Sequence, residues 1–143
     1  MTESFPLILL GVLLSLSAFF SACEAALFSL TRIELRRTIE LHPRRGKLVS
    51  DLLTHPRRAL ITILIGNNIA NTSAAALATL MALHFLPSGQ VGIAIALFSI
   101  LVIFVGEVSP KVFAVRKNEA VALFCAPLLE IFDGLELFLP GRI

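Results

Sequence analysis

Gly106-Glu107-Val108-Ser109-Pro110-Lys111 sets a carboxylate and a helix breaker inside an otherwise apolar stretch, a combination that can hold a cation. Pro110 has no N–H, so the carbonyl four residues earlier, that of Gly106, loses its helical partner. A freed carbonyl beside Glu107 offers two hard oxygen donors from adjacent residues. Two further polar patches interrupt apolar sequence. Ser17, Ser21 and Glu24 fall at i, i+4 and i+7, which stacks their oxygens along one helical face. Gly66-Asn67-Asn68 is followed by Asn71-Thr72-Ser73, and Asn67 with Asn71 makes another i, i+4 pair. Hydroxyls, amide carbonyls, one or two carboxylates and a backbone carbonyl suit Mg²⁺, Ca²⁺ or Na⁺ rather than zinc or copper.

Each patch also has a plainer reading. Serine and asparagine can hydrogen-bond between helices while glycine permits close approach. Glu107 can pair with Lys111 at i, i+4 in a kinked helix, although this explains neither the asparagines nor the glycine. His42, His55 and His84 occupy loop or span-end positions and read as interfacial. Cys23 and Cys125 lie on different elements without metal spacing or a secretory disulfide pattern, and read as small packing residues. Glu107 with Ser109 or Lys111 lacks a triad partner and an oxyanion arrangement, so an enzyme is not expected.

The elements that must position these groups are membrane helices. Of the 143 residues, 57% are hydrophobic and only 15% charged, against about 25% charged in an ordinary soluble domain. Apolar runs predict spans at about 7–30, 59–83 and 91–115, each near the roughly 20 residues that a crossing needs. The first is preceded by Met1-Thr2-Glu3-Ser4-Phe5-Pro6, without Lys or Arg, and is too long for a signal-peptide core. Eight of the 12 basic residues fall from Arg32 to Arg58, and none lies between Arg58 and Lys111. The positive-inside rule then places that segment and the C-terminus in the cytoplasm and the N-terminus outside, in a multi-pass plasma (inner) membrane protein. Because the basic residues flank spans without interleaved aromatics, lipid headgroups rather than nucleic acid are the expected contact.

Between the first two spans, helical spacing over 34–55 predicts two interfacial helices separated by a break from Pro43 to Gly46. A further helix at 120–139 carries Glu130, Asp133 and Glu136 at intervals of three, a carboxylate face that is expensive in lipid. It is expected at the cytoplasmic surface or under the spans rather than as a fourth crossing. The fold class predicted is an all-α integral membrane domain of three transmembrane helices with juxtamembrane helices. The chain stops after Pro140-Gly141, which suits a domain boundary with a soluble portion beyond it.

Three motifs now stand in order: Phe20-Ser21-Ala22-Cys23-Glu24-Ala25-Ala26-Leu27 before Arg32-Ile33-Glu34-Leu35-Arg36, then Ile65-Gly66-Asn67-Asn68-Ile69-Ala70-Asn71-Thr72, then Gly106 to Lys111. Over nearly the whole chain they resemble the transmembrane domain of the CorB/CorC and CNNM family of magnesium transporters. The resemblance implies a homodimer of three-span subunits with a juxtamembrane helical belt, moving Mg²⁺ in exchange for Na⁺ in at least some members. Carried over residue by residue, the cation site falls on Ser17, Ser21, Asn67, Gly106 through its carbonyl, and Glu107, with Glu24 and Asn71 as neighbours. Members usually continue into paired CBS domains that bind ATP or another nucleotide. That region is absent from these residues, so nucleotide regulation is not assigned to them. The leading expectation is secondary Mg²⁺ transport. The alternatives are a non-transporting membrane anchor and dimerisation module with ion sensing elsewhere, or a site for another hard cation.

Overall fold

A computed structural model describes residues 4–136, with side chains over 4–131. All regular structure among the described residues is helical: α1 (Ser4–Ser29), α2 (Arg32–Leu41), α3 (Pro43–Thr54), α4 (Pro56–Phe85), α5 (Val91–Leu101), a π-helical segment (Val102–Val108), α6 (Ser109–Arg116) and α7 (Asn118–Glu136). α5, the π segment and α6 run on as one 26-residue rod, Val91–Arg116. Among the described residues, this rod, α1 and α4 are the three helices long and apolar enough to cross a membrane. At 1.5 Å per residue, the 26 residues of α1 reach about 39 Å, more than the roughly 30 Å hydrocarbon core. Their outer faces carry Ile8, Leu9, Ile69, Leu97, Ile103 and Phe104 exposed, a surface matched to acyl chains rather than to water.

The juxtamembrane helices start where local chemistry demands. Thr31 caps α2 reciprocally: the Glu34 N–H donates to its hydroxyl at 3.1 Å, and the Thr31 N–H donates to the Glu34 carboxylate at 3.1 Å. Accepting the Thr31 backbone N–H and then the Thr31 hydroxyl holds the Glu34 carboxyl below its usual range. Pro43 and Pro56 open α3 and α4 in the first turn, where a missing N–H costs nothing. The predicted Pro43-to-Gly46 break is narrower in the structure. Only His42 separates α2 from α3, and Gly46 lies buried within α3, where a Cβ would come 2.6 Å from the Ile39 Cα. That glycine lets the two helices cross closely rather than ending one of them.

Over its described residues α7 is not among the helices long and apolar enough to span, and it packs against α1, α3 and α4. Its start is tied down: the Asn118 amide donates to the Ser29 carbonyl at 3.4 Å and hydroxyl at 3.3 Å, and Arg37 meets Glu119 at 2.8 Å. Of the predicted carboxylate face, Glu130 is exposed, while the side chains of Asp133 and Glu136 lie outside the described residues, as do 137–139 and the Pro140-Gly141 ending. The core joins Phe20, Cys23, Ala26 and Leu27 of α1 to Val49, Ile63, Ala114 and the α7 residues Ala122, Cys125, Ala126 and Leu129. Here the expectation of two separate packing cysteines is corrected. Docking α7 on α1 brings Cys23 and Cys125 together as a disulfide with a Cα–Cα distance of 5.8 Å, a long-range pairing that spacing along the chain could not indicate.

Candidate cation site

Ser17 lies fully buried on α1, facing both α4 and the π segment. Its hydroxyl has one proton, yet three acceptor oxygens stand within reach: Asn71 Oδ1 at 2.5 Å, Asn67 Oδ1 at 3.2 Å and the Gly106 carbonyl at 3.5 Å. The Asn71 amide N–H in turn donates to the Glu107 carboxylate at 3.1 Å. That bond sets the orientation of the amide, because the reverse would aim its oxygen at a carboxylate. Lone pairs therefore outnumber protons where the three spans meet. Oxygens of hydroxyl, amide, backbone carbonyl and carboxylate type gathered in this way are the kind that hard cations take as ligands.

The backbone explains why these groups converge. In the π segment the Ser109 N–H donates to the Phe104 carbonyl five residues back, and Pro110 follows as the second residue of α6. Proline has no N–H to give, so neither the carbonyl at 105, five back, nor that of Gly106, four back, receives one from it. The sequence suggested a break at the proline. The helix instead passes through Pro110 and takes up the irregularity as the wide turn before it, where it carries Gly106 and Glu107. Gly106 also gives the Ser17 side chain room, because a Cβ there would lie 3.1 Å from Ser17 Oγ, a tight contact. On α4, a Cβ at Gly66 would run into the Phe20 ring, so this glycine keeps Asn67 close to α1.

The structure thus brings Ser17, Asn67, Gly106 and Glu107 together and gives Asn71, expected only as a neighbour, the linking position. Its signal was present in the i, i+4 relation to Asn67. Ser21 lies one turn from Ser17, fully buried, and its hydroxyl has no hydrogen-bond partner among the described residues. Glu24, two turns from Ser17, makes none of these contacts. It meets Lys111 at 3.7 Å, so Lys111 pairs across to α1 rather than with Glu107. Asn68, Thr72 and Ser73 are exposed on the outer face of α4. No group of three or more His, Cys, Asp or Glu side chains that could hold a metal ion occurs among the described residues, and the oxygens gathered around Ser17 belong to hydroxyl, amide and backbone carbonyl groups with the Glu107 carboxylate beside them.

The fold and these embedded polar groups define a polytopic helical membrane protein. Residues 8–135 match the profile of the family described as the cyclin M transmembrane N-terminal domain (CNNM). The chain is 34% identical to a UPF0053 protein of Haemophilus influenzae over 142 residues, 96% of this chain and 33% of that protein. It is 36% identical to the UPF0053 inner membrane protein YfjD of Escherichia coli over 107 residues, 75% of this chain and 25% of that protein. A chloroplastic DUF21 domain-containing protein of Arabidopsis thaliana is 34% identical over 115 residues, 80% of this chain and 18% of that protein. The chain belongs to the CorB/CorC/CNNM family and spans about a third or less of the length of these relatives.

Proposed function

We propose that this domain carries Mg²⁺ across the membrane through the Ser17 cluster, as a secondary transporter. The observation that carries the reading is the convergence of three acceptor oxygens on the single Ser17 proton, with Glu107 one amide away. Ser17, Ser21, Asn67, Gly106 through its carbonyl, and Glu107 are the ligands in this reading, joined by Asn71. Waters complete the shell, since Mg²⁺ gives up its hydration reluctantly. Glu107 supplies the countercharge. A carboxylate left alone at membrane depth is costly, so departure of Mg²⁺ calls for another cation, and Na⁺ fills that place. The basic juxtamembrane segment faces the cytoplasm and the N-terminus faces out. Asn68, Thr72 and Ser73 support a homodimer in this reading, since polar groups exposed in mid-span are poorly served by lipid and well served by a second subunit.

A second reading rests on the same bonds. Ser17, Asn71 and Glu107 hydrogen-bond three spans together, which is also how an anchor and dimerisation module without transport would be glued. The two differ in ligand dependence. In detergent, Mg²⁺ is expected to raise the melting temperature of the wild-type protein, because a ligand that binds only the folded state stabilises it, and Glu107→Gln is expected to remove that response. A melting temperature indifferent to Mg²⁺ up to millimolar concentration rejects transport and leaves the anchor.

A further inference from the structure

The face of α1 that carries Ser17 continues through Ser21 to Glu24, toward the juxtamembrane helices. There Glu24 and Lys111, with Ala25, Phe28, Ser29 and Leu60, line a cavity of about 350 Å³. We propose that Glu24 and Lys111 form a waiting site for a hydrated divalent cation, in which the Lys111 ammonium holds the ion's place until one arrives. This rests on the transport reading and adds an entry step to it.

Geometry and size carry the inference. The Glu24–Lys111 distance is 3.7 Å, longer than the roughly 2.7–2.9 Å of a tight charge-assisted hydrogen bond, and the two side chains are 29% and 44% exposed. Half-exposed pairs of this kind hold weakly and exchange readily with ions from solution. At about 30 Å³ per water, the cavity has room for on the order of ten waters, enough for the octahedral water shell of Mg²⁺. An ion can therefore rest beside Glu24 without losing its water, and shed it only at Ser17.

The buried hydroxyl of Ser21, unpartnered among the described residues, falls between the two positions, three residues before Glu24 and four after Ser17. Lys111 stands one turn beyond Glu107 on the rod that carries the π segment, so the tethered cation belongs to the element that also holds the inner carboxylate. As a purely structural tie between α1 and α6 the pair would be a poor choice. It places two charges at the edge of apolar spans and gains little from being half solvated.

The test is the Mg²⁺ concentration dependence of initial flux into liposomes containing the purified protein. Net charge at the cavity is zero in the wild type, positive in Glu24→Gln, negative in Lys111→Met and zero again in the double variant. Half-saturating Mg²⁺ is expected to rise about two- to fivefold in Glu24→Gln and to fall about two- to fivefold in Lys111→Met, the range that an exposed ion pair is worth. The double variant returns near wild type. Lys117→Met, which removes a charge outside the cavity, leaves half-saturation unchanged. Melting curves without Mg²⁺ show that each variant is folded; one that is not is replaced by Glu24→Ala or Lys111→Ala, which remove the same charge and carry the same expected shift. The waiting site is overturned if the two single variants move together or not at all, or if Lys117→Met shifts half-saturation as far as Lys111→Met. Wild-type protein without saturable flux overturns the transport reading itself, a different outcome from saturable flux indifferent to Lys111.

Discussion

The Asn71 side-chain amide links Ser17 to Glu107, its oxygen 2.5 Å from the Ser17 hydroxyl and its nitrogen 3.1 Å from the Glu107 carboxylate. One residue of α4 thereby joins α1 to the π segment of the third span. The link places the carboxylate one amide away from the cluster of neutral oxygens, of which the Gly106 carbonyl lies on the same π segment as Glu107 and the others on α1 and α4.

Asn71→Leu keeps the bulk and removes both bonds. Interhelical hydrogen bonds in membranes average about 0.6 kcal/mol and reach about 1.7 kcal/mol, so the loss of stability is modest. The effect on cation binding is larger, because Glu107 loses the partner that positions it. Titration of Mg²⁺ by calorimetry is expected to show affinity reduced tenfold or more, which is about 1.4 kcal/mol. Unchanged affinity would remove Asn71 from the site.

Gly106→Ala places a methyl 3.1 Å from Ser17 Oγ, so the Ser17 side chain or the wide turn must shift by a few tenths of an ångström. Flux at low Mg²⁺ is expected to fall several-fold. Gly92→Ala, where a Cβ meets nothing within 4 Å, provides the control and retains wild-type flux.

The Cys23–Cys125 disulfide predicts that protein denatured without reductant takes up no maleimide and that reduced protein takes up two. It ties α7 to α1 across 102 residues of sequence, so reduction is expected to lower the melting temperature and to speed proteolysis at α7. Labelling of both cysteines in unreduced, denatured protein would show that no bond forms.

Glu34 predicts a direction with pH. Its folded pKa lies below the usual 4.5, chiefly because its carboxylate accepts the Thr31 N–H. A depressed carboxyl contributes stability in full above the unfolded value and loses it as pH falls through the folded one. Melting temperature is therefore expected to decline on acidification below about 4.5. Glu34→Gln should remove part of that decline, and an identical acid limb in the variant would assign the loss to other carboxylates.

The three spans were legible in the sequence because hydrocarbon thickness leaves a length signature, and the basic residues between Arg32 and Arg58 marked the juxtamembrane segment. Helical spacing also put Ser17 and Ser21 on one face and paired Asn67 with Asn71. What spacing could not show was which neighbour each face meets. Glu24 shares the Ser17 face yet pairs with Lys111, because α1 outlasts the cluster and runs on beside α6. The proline at 110 announced an irregular turn but not its form, since a π segment and a kink both follow from a missing N–H. Gly46 signalled a break to a local reading, whereas its reason is the backbone of α2. The cysteine pair depends on how α7 docks, which no local pattern records.

Transport of Mg²⁺ through the Ser17 cluster is tested most directly by Mg²⁺ flux into liposomes with a fluorescent indicator inside, comparing wild type with Asn67→Ala and Glu107→Gln that melt as folded proteins. The account predicts saturable wild-type flux and at least tenfold lower flux at subsaturating Mg²⁺ in both variants. Wild-type flux persisting in both folded variants would contradict it.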